Sequence, residues 1–190
     1  MYYLRKATEH QIQAIVDRAA ANGLDTTIFT AKTGYTNDQL KAIYWGLVRG
    51  YDVSAYADPA FGTAQMIQIY YGLKHGVDVS LYAKPEFLAD QMEMIRDGLE
   101  HGFDISLYAD PAYTGMQMYE IRAALISGLD VREMLNPEFS PIKMQDLRKR
   151  LHARQKGYCL SEPEGSVFDP VRLYVPFPDL DEKGLMPDWQ

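Results

Sequence analysis

Cysteine is almost missing from this chain: Cys159 is the single one in 190 residues. No intramolecular disulfide and no thiolate metal cluster can form, and a reducing compartment is the natural setting. Bases are also in deficit, 19 lysines and arginines against 26 acids for a net charge of −7, which argues against nucleic-acid binding by phosphate neutralisation. No apolar run approaches the 18 residues of a membrane span, and Met1 to Lys6 do not open a secretory leader. No membrane association is expected, and the expected location is the cytoplasm. The glycine signatures that cradle phosphates, G-x-x-x-x-G-K-[ST] or a strand followed by G-x-G-x-x-G, are missing too, so phosphate-loop chemistry has no basis. What remains, 47% hydrophobic and 24% charged residues, is the composition of a folded chain of about one domain.

The sequence repeats itself every 26 residues. Pro59, Pro85, Pro111 and Pro137 keep this spacing, as do Gly50, Gly76, Gly102 and Gly128, Met66, Met92, Met118 and Met144, and Gln39, Gln65, Gln91 and Gln117. Tyr56, Tyr82 and Tyr108 share the register. A looser copy precedes them, Asp25 and Phe29 matching Asp52 and Tyr56 at a spacing of 27, so the array begins near residue 9.

Within a unit, Met66, Ile69 and Leu73 fall at i, i+3 and i+7, one stripe of an α-helix of about three turns. Gly76 and Gly102 follow the last periodic residue, where a left-handed residue ends a helix without a Cβ penalty. Asp78 and Asp104 stand as N-caps of a short second helix, V-S-L-Y-A, that Pro85 and Pro111 end. Gly46, Gly72 and Gly98 lie inside the long helix, where each costs roughly 1 kcal/mol against alanine. Close approach of a neighbouring helix is the expected reason.

The pattern predicts an all-α protein: an α-solenoid of about five 26-residue units, each a long helix plus a short one, over residues 1–156. Residues 157–190 change character to proline-rich segments such as Val175-Pro-Phe-Pro. They are expected to form an irregular acidic tail folding back on the last helix through Phe168, Leu173, Tyr174 and Phe177.

The run from Gln91 to Pro111, Q-M-E-M-I-R-D-G-L-E-H-G-F-D-I-S-L-Y-A-D-P, resembles a short helical repeat found in proteins of gut anaerobic bacteria, their phages and mobile elements. The likeness covers roughly residues 37–151. The motif is specific for the repeat and not for a reaction. What it implies is a phage or mobile-element setting, in which small acidic proteins often inhibit host defence systems such as CRISPR nucleases.

Candidate chemistry is sparse. His75 with Asp78 and His101 with Asp104 offer a weak two-histidine, two-aspartate metal set, but the aspartates already serve as caps, and Asp52 and Asp130 recur without a histidine. Ser54, Ser80 and Ser106 recur beside the caps, and Cys159 has no matched histidine. No enzyme activity and no cofactor is therefore expected.

Recognition is better sought where equivalent positions differ. Counted from the Met slot of each unit (Leu40 in the first), the +1 series is Lys41, Ile67, Glu93, Tyr119 and Gln145, the +5 series Trp45, Tyr71, Asp97, Ala123 and Lys149, and the +8 series Val48, Lys74, Glu100, Ile126 and His152. Spacings of four and three put all three on one helix face. That face either receives a partner or packs against the short helices and solvent. Residues 51–130 hold twelve acids and four bases, a charge that suits a basic groove on a partner or serves solubility alone.

The leading expectation is a non-catalytic protein binder, an anti-CRISPR-like inhibitor of a nuclease acting through Trp45, Tyr71, Glu93, Asp97, Glu100 and Tyr119. One alternative is a binder of a small nucleotide at an oligomer interface through arginines such as Arg96 and Arg122. The other is a metal-dependent enzyme using the His/Asp pairs.

Overall fold

The computed structural model describes residues 6–32 and 34–157, and there the 26-residue period yields an all-α protein. Seven α-helices follow one another: α1 (Glu9–Ala21), α2 (Thr27–Ala31), α3 (Asn37–Val48), α4 (Thr63–His75), α5 (Ala89–Glu100), α6 (Gly115–Ile126) and α7 (Pro141–Gln155). The expected short second helices are 3₁₀ turns at Val53–Ala55, Val79–Leu81, Ile105–Leu107 and Arg132–Met134; only α2 closes a true α-turn in that place. Among the described residues the extended backbone makes no more than an isolated bridge, Lys6 to Thr36. The strap expected of the C-terminal tail, and Cys159 with it, lie outside the described residues.

Local chemistry starts and stops each segment. Thr8, Thr36 and Thr114 accept from the backbone N–H three residues on, while the glutamine at that position accepts from the cap's own N–H, the reciprocal capping box. Asp52, Asp78 and Asp104 accept from both the N–H and the hydroxyl of Ser54, Ser80 and Ser106. The recurring serines and aspartates are thus consumed by turns. Past the helices, Gly50, Gly76, Gly102 and Gly128 stand at φ of 66° to 73°, the left-handed stop that their spacing predicts.

Burial follows the stripe. Leu40, Ile43, Met66, Ile69, Met92, Ile95, Met118 and Ile121 are wholly inaccessible, and they lie between α3, α4, α5 and α6, each of which packs on the next in chain order. Gln65 in the first turn of α4 bonds the carbonyl of Phe87 just ahead of α5, whereas His75 at the end of α4 meets Glu100 at the end of α5. Starts lie beside starts and ends beside ends, so successive helices run the same way.

The interior glycines have a different cause from the one expected. A Cβ on Gly46, Gly72 or Gly98 would overlap the phenol oxygen of Tyr56, Tyr82 or Tyr108, the tyrosine ten residues further along, and would crowd Val53, Val79 or Ile105. The phenol reaches over the helix to donate to the carbonyl of Ala42, Gln68 or Met94, and burial pushes its pKa well up. Where the ring has no hydroxyl, at Phe29, or is replaced, at Met134, alanine returns to the facing site as Ala19 and Ala124, all four buried. The glycine answers to the tyrosine and not to the next helix.

The sign of one substitution separates these causes. Alanine for Gly98 raises helix propensity by roughly 1 kcal/mol, yet overlap with Tyr108 should reverse this and leave Gly98→Ala less stable by about 1–3 kcal/mol in urea unfolding. Adding Tyr108→Phe should recover a substantial part. A stabilised Gly98→Ala would show that the phenol does not rest on that turn.

Candidate functional site

The +1, +5 and +8 positions lie toward the outer side of each long helix. In the +1, +5 and +8 series, Trp45, Tyr71, Glu93, Asp97 and Tyr119 are half-buried, and Val48 and Ile126 are 40% and 55% exposed. The helical period alone accounts for this, because 100° per residue carries these positions opposite the buried Met and Ile slots. The structure thus brings the six candidate residues onto one run of consecutive helices, Trp45 on α3, Tyr71 on α4, Glu93, Asp97 and Glu100 on α5, and Tyr119 on α6.

Their chemistry is not uniform. Tyr71 lies against the aromatic edge of Tyr70, with centroids 5.7 Å apart, and the Arg96 guanidinium of the next helix stands 5.7 Å over its ring. Trp45 meets Tyr44 edge-on at 5.3 Å. Asp97 is taken up by Arg122 of α6, and Glu100 by Arg96 and, at 2.6 Å, by His75 of α4. Burial would raise the Glu100 carboxyl, but hydrogen bonds from His75 and Arg96 outweigh it and hold the pKa below the usual carboxylate value. Two of the three candidate carboxylates are thus committed to the joints between helices.

A column of residues at +4 supplies the partners, and reading the variable positions one by one passes over it. Tyr44 and Tyr70 give way to Arg96, Arg122 and Arg148. Arg96 donates its Nε–H to Gln68 at 3.2 Å, and Arg148 its Nε–H to the buried Glu120 at 2.7 Å, each reaching back 28 residues. Arg122 is drawn down in pKa, first by desolvation. The signal in the sequence is an aromatic-to-basic switch one turn beyond the Met slot. These pairings occupy the guanidiniums that a nucleotide would need, so the arrangement lends that reading no support.

The acidic charge of the middle segment sits mainly elsewhere. Of the twelve acids in residues 51–130, seven (Asp52, Asp58, Asp78, Glu86, Asp104, Asp110 and Asp130) lie between the helices, against one base, Lys84. Asp52, Asp58 and Asp130 are held below the usual aspartate pKa, chiefly by side-chain hydrogen bonds from Ser54, Lys32 and Arg132, and Asp130 falls to about 2. The helix face itself is aromatic with nearly balanced charge.

The weak metal set is not assembled. His75 Nδ1 faces Glu100 while Asp78 caps its turn, and His101 Nδ1 lies 2.7 Å from the Asp97 carbonyl while Asp104 caps another. Among the described residues no three His, Cys, Asp or Glu side chains come together as metal ligands, and no helix is long and apolar enough to cross a membrane.

The Glu100 joint has a pH signature. A carboxyl whose pKa is lowered on folding stabilises the protein above its unfolded value, near 4.5, and that contribution fades as pH falls through the lower folded value. Stability measured by urea unfolding should therefore drop on acidification below about pH 4.5, and Glu100→Gln should flatten that part of the profile. Identical slopes for wild type and variant would remove Glu100 from the joint.

The chain matches no protein-family model, no curated protein and no solved structure.

Proposed function

We propose that the chain is a non-catalytic α-solenoid of about five 26-residue units that binds another protein through its outward helix face. The carrying observation is the placement of Trp45 on α3, Tyr71 on α4 and Tyr119 on α6, half-buried on one helix face and bordered by the exposed Val48 and Ile126. Large amphipathic rings between water and core are what interface hot spots are made of. An array of equivalent helices extends such a face without altering the core, the usual advantage of stacked units.

The finer reading is a cytoplasmic inhibitor of a bacterial defence nuclease. It rests on the resemblance of the Gln91–Pro111 run to repeats of phage and mobile-element proteins, not on surface charge, since most of the middle segment's acids lie off this face. Aromatic burial would supply affinity, and Glu93 with the partly covered Asp97 and Glu100 would orient the partner.

Affinity purification from native cells tests the reading. Wild type and Asp78→Asn, altered away from the face, should retain the same partner, and Trp45→Ala with Tyr119→Ala should lose it at least tenfold with helicity unchanged. Equal capture by all three would place recognition elsewhere.

A further inference from the structure

We propose that the outward helix face accepts an acidic protein segment, an extended stretch in which carboxylates alternate with apolar side chains. This rests on the protein-binding reading above and gives the partner its sign of charge. That sign is the reverse of what the twelve acids of residues 51–130 suggest. The three outward series hold three lysines, Lys41, Lys74 and Lys149, and three acids, Glu93, Asp97 and Glu100. The +4 column tips this balance: Arg96 takes Glu100 and Arg122 takes Asp97, while Arg148 is spent on the buried Glu120. An ion pair leaves no net charge behind, so Glu93 is the one acid of the three series outside these pairs.

The lysines keep their charge at the surface. Lys74 is exposed and stands 5.8 Å over the ring of Tyr71, and the exposed Lys149 bonds the amide oxygen of Gln145 at 3.2 Å. Lys41 lies 3.2 Å from Asp38, so the positive surplus rests on Lys74 and Lys149, with the exposed Lys156 on the side of Lys149 seven residues on. Each end of the face thus sets a lysine beside large apolar groups. On α4 Lys74 adjoins Tyr71, and α7 with Lys149 packs on α6, which offers Tyr119 and Ile126. Three helix spacings separate α4 from α7, roughly 24–30 Å, a span that an extended segment of about eight residues crosses.

The opposite side of the molecule repels the same ligand. Between the helices, residues 51–130 place seven acids against one base, so the field steers a carboxylate-bearing chain toward the outer helix face. A single-stranded nucleic acid is negative too, but it stacks its bases on open ring faces. Here Arg96 and Lys74 already stand over Tyr71, and Trp45 meets Tyr44 edge-on. Lysines at two ends of the face fit sparse carboxylates better than a phosphate at every nucleotide.

Fluorescence anisotropy of labelled twelve-residue probes against the full chain tests this at 50 mM salt. A peptide of alternating glutamate and leucine should bind at least tenfold tighter than one of alternating glutamine and leucine, and tighter than an oligothymidylate of twelve nucleotides. Lys74→Glu with Lys149→Glu should weaken the glutamate peptide tenfold or more, and Lys84→Glu between the helices should leave it unchanged. Circular dichroism checks folding; if the reversals unfold the chain, Lys74→Gln with Lys149→Gln should still lose at least threefold. A glutamate peptide that fails to bind, or whose binding ignores both lysine pairs, overturns the proposal, and tighter binding of the oligonucleotide replaces the acidic protein by a nucleic acid. If both peptides bind equally and Trp45→Ala with Tyr119→Ala abolishes both, the acidic partner fails while the binding face stands; if peptide binding ignores those two changes as well, both readings fail.

Discussion

A glutamine amide, buried in three of its four copies, holds successive segments together. Gln39, Gln65, Gln91 and Gln117 each accept the N–H of the residue that precedes their own helix, and each donates to two carbonyls 20 and 22 residues ahead, at Pro59 and Phe61, Pro85 and Phe87, Pro111 and Tyr113, Pro137 and Phe139. The second set lies at the start of the next helix. One side chain therefore closes its own helix cap and locates its successor, and all of its polar atoms are satisfied in a place where an unmet amide would cost about 1–3 kcal/mol. Apolar burial between the stripes is larger in total, but it is non-directional and tolerates sliding. The amide sets the register in which Met66 meets its neighbours and not some other turn.

The joints vary where the amide does not. Tyr44 and Tyr70 occupy the +4 site in the first two long helices of the regular array, and Arg96, Arg122 and Arg148 in the next three. Aromatic packing is thereby exchanged for ion pairs with Glu100, Asp97 and Glu120. The partly covered pairs of Arg96 and Arg122 contribute modestly, whereas Arg148 meets a buried Glu120 whose carboxylate would be costly to leave unpaired. The exchange explains why the middle of the helix face carries carboxylates without being strongly acidic, and why its aromatic residues are the better carriers of recognition.

Much of the fold is legible in the residues because the determining contacts are local. Asp52, Asp78 and Asp104 cap turns two residues away, Gly76 and Gly102 end helices at the next residue, and the threonine–glutamine boxes span one turn; each follows from side-chain reach and from the φ that glycine permits. Helix placement and the direction of the variable face follow from the 3.6-residue period for the same reason. The second helix of each unit is shorter than its residues suggest: V-S-L-Y-A carries a cap and apolar residues, but it makes only a three-residue turn, and the tyrosine that follows bonds back to the long helix.

What the amino-acid order determined by itself is the period, the all-α character, the ends of the helices and which side of them stays outside, since each depends on residues within a turn or two of one another. Tertiary structure decided the rest. Only packing shows that Gly98 makes room for Tyr108, that the recurring Gln91 serves the carbonyls of Pro111 and Tyr113, and that Asp97 and Glu100 are taken up by Arg122, Arg96 and His75. These contacts join residues up to 25 positions apart, and the partners of the distant ones are chosen by how neighbouring helices are aligned, a quantity that no single stretch of the chain contains.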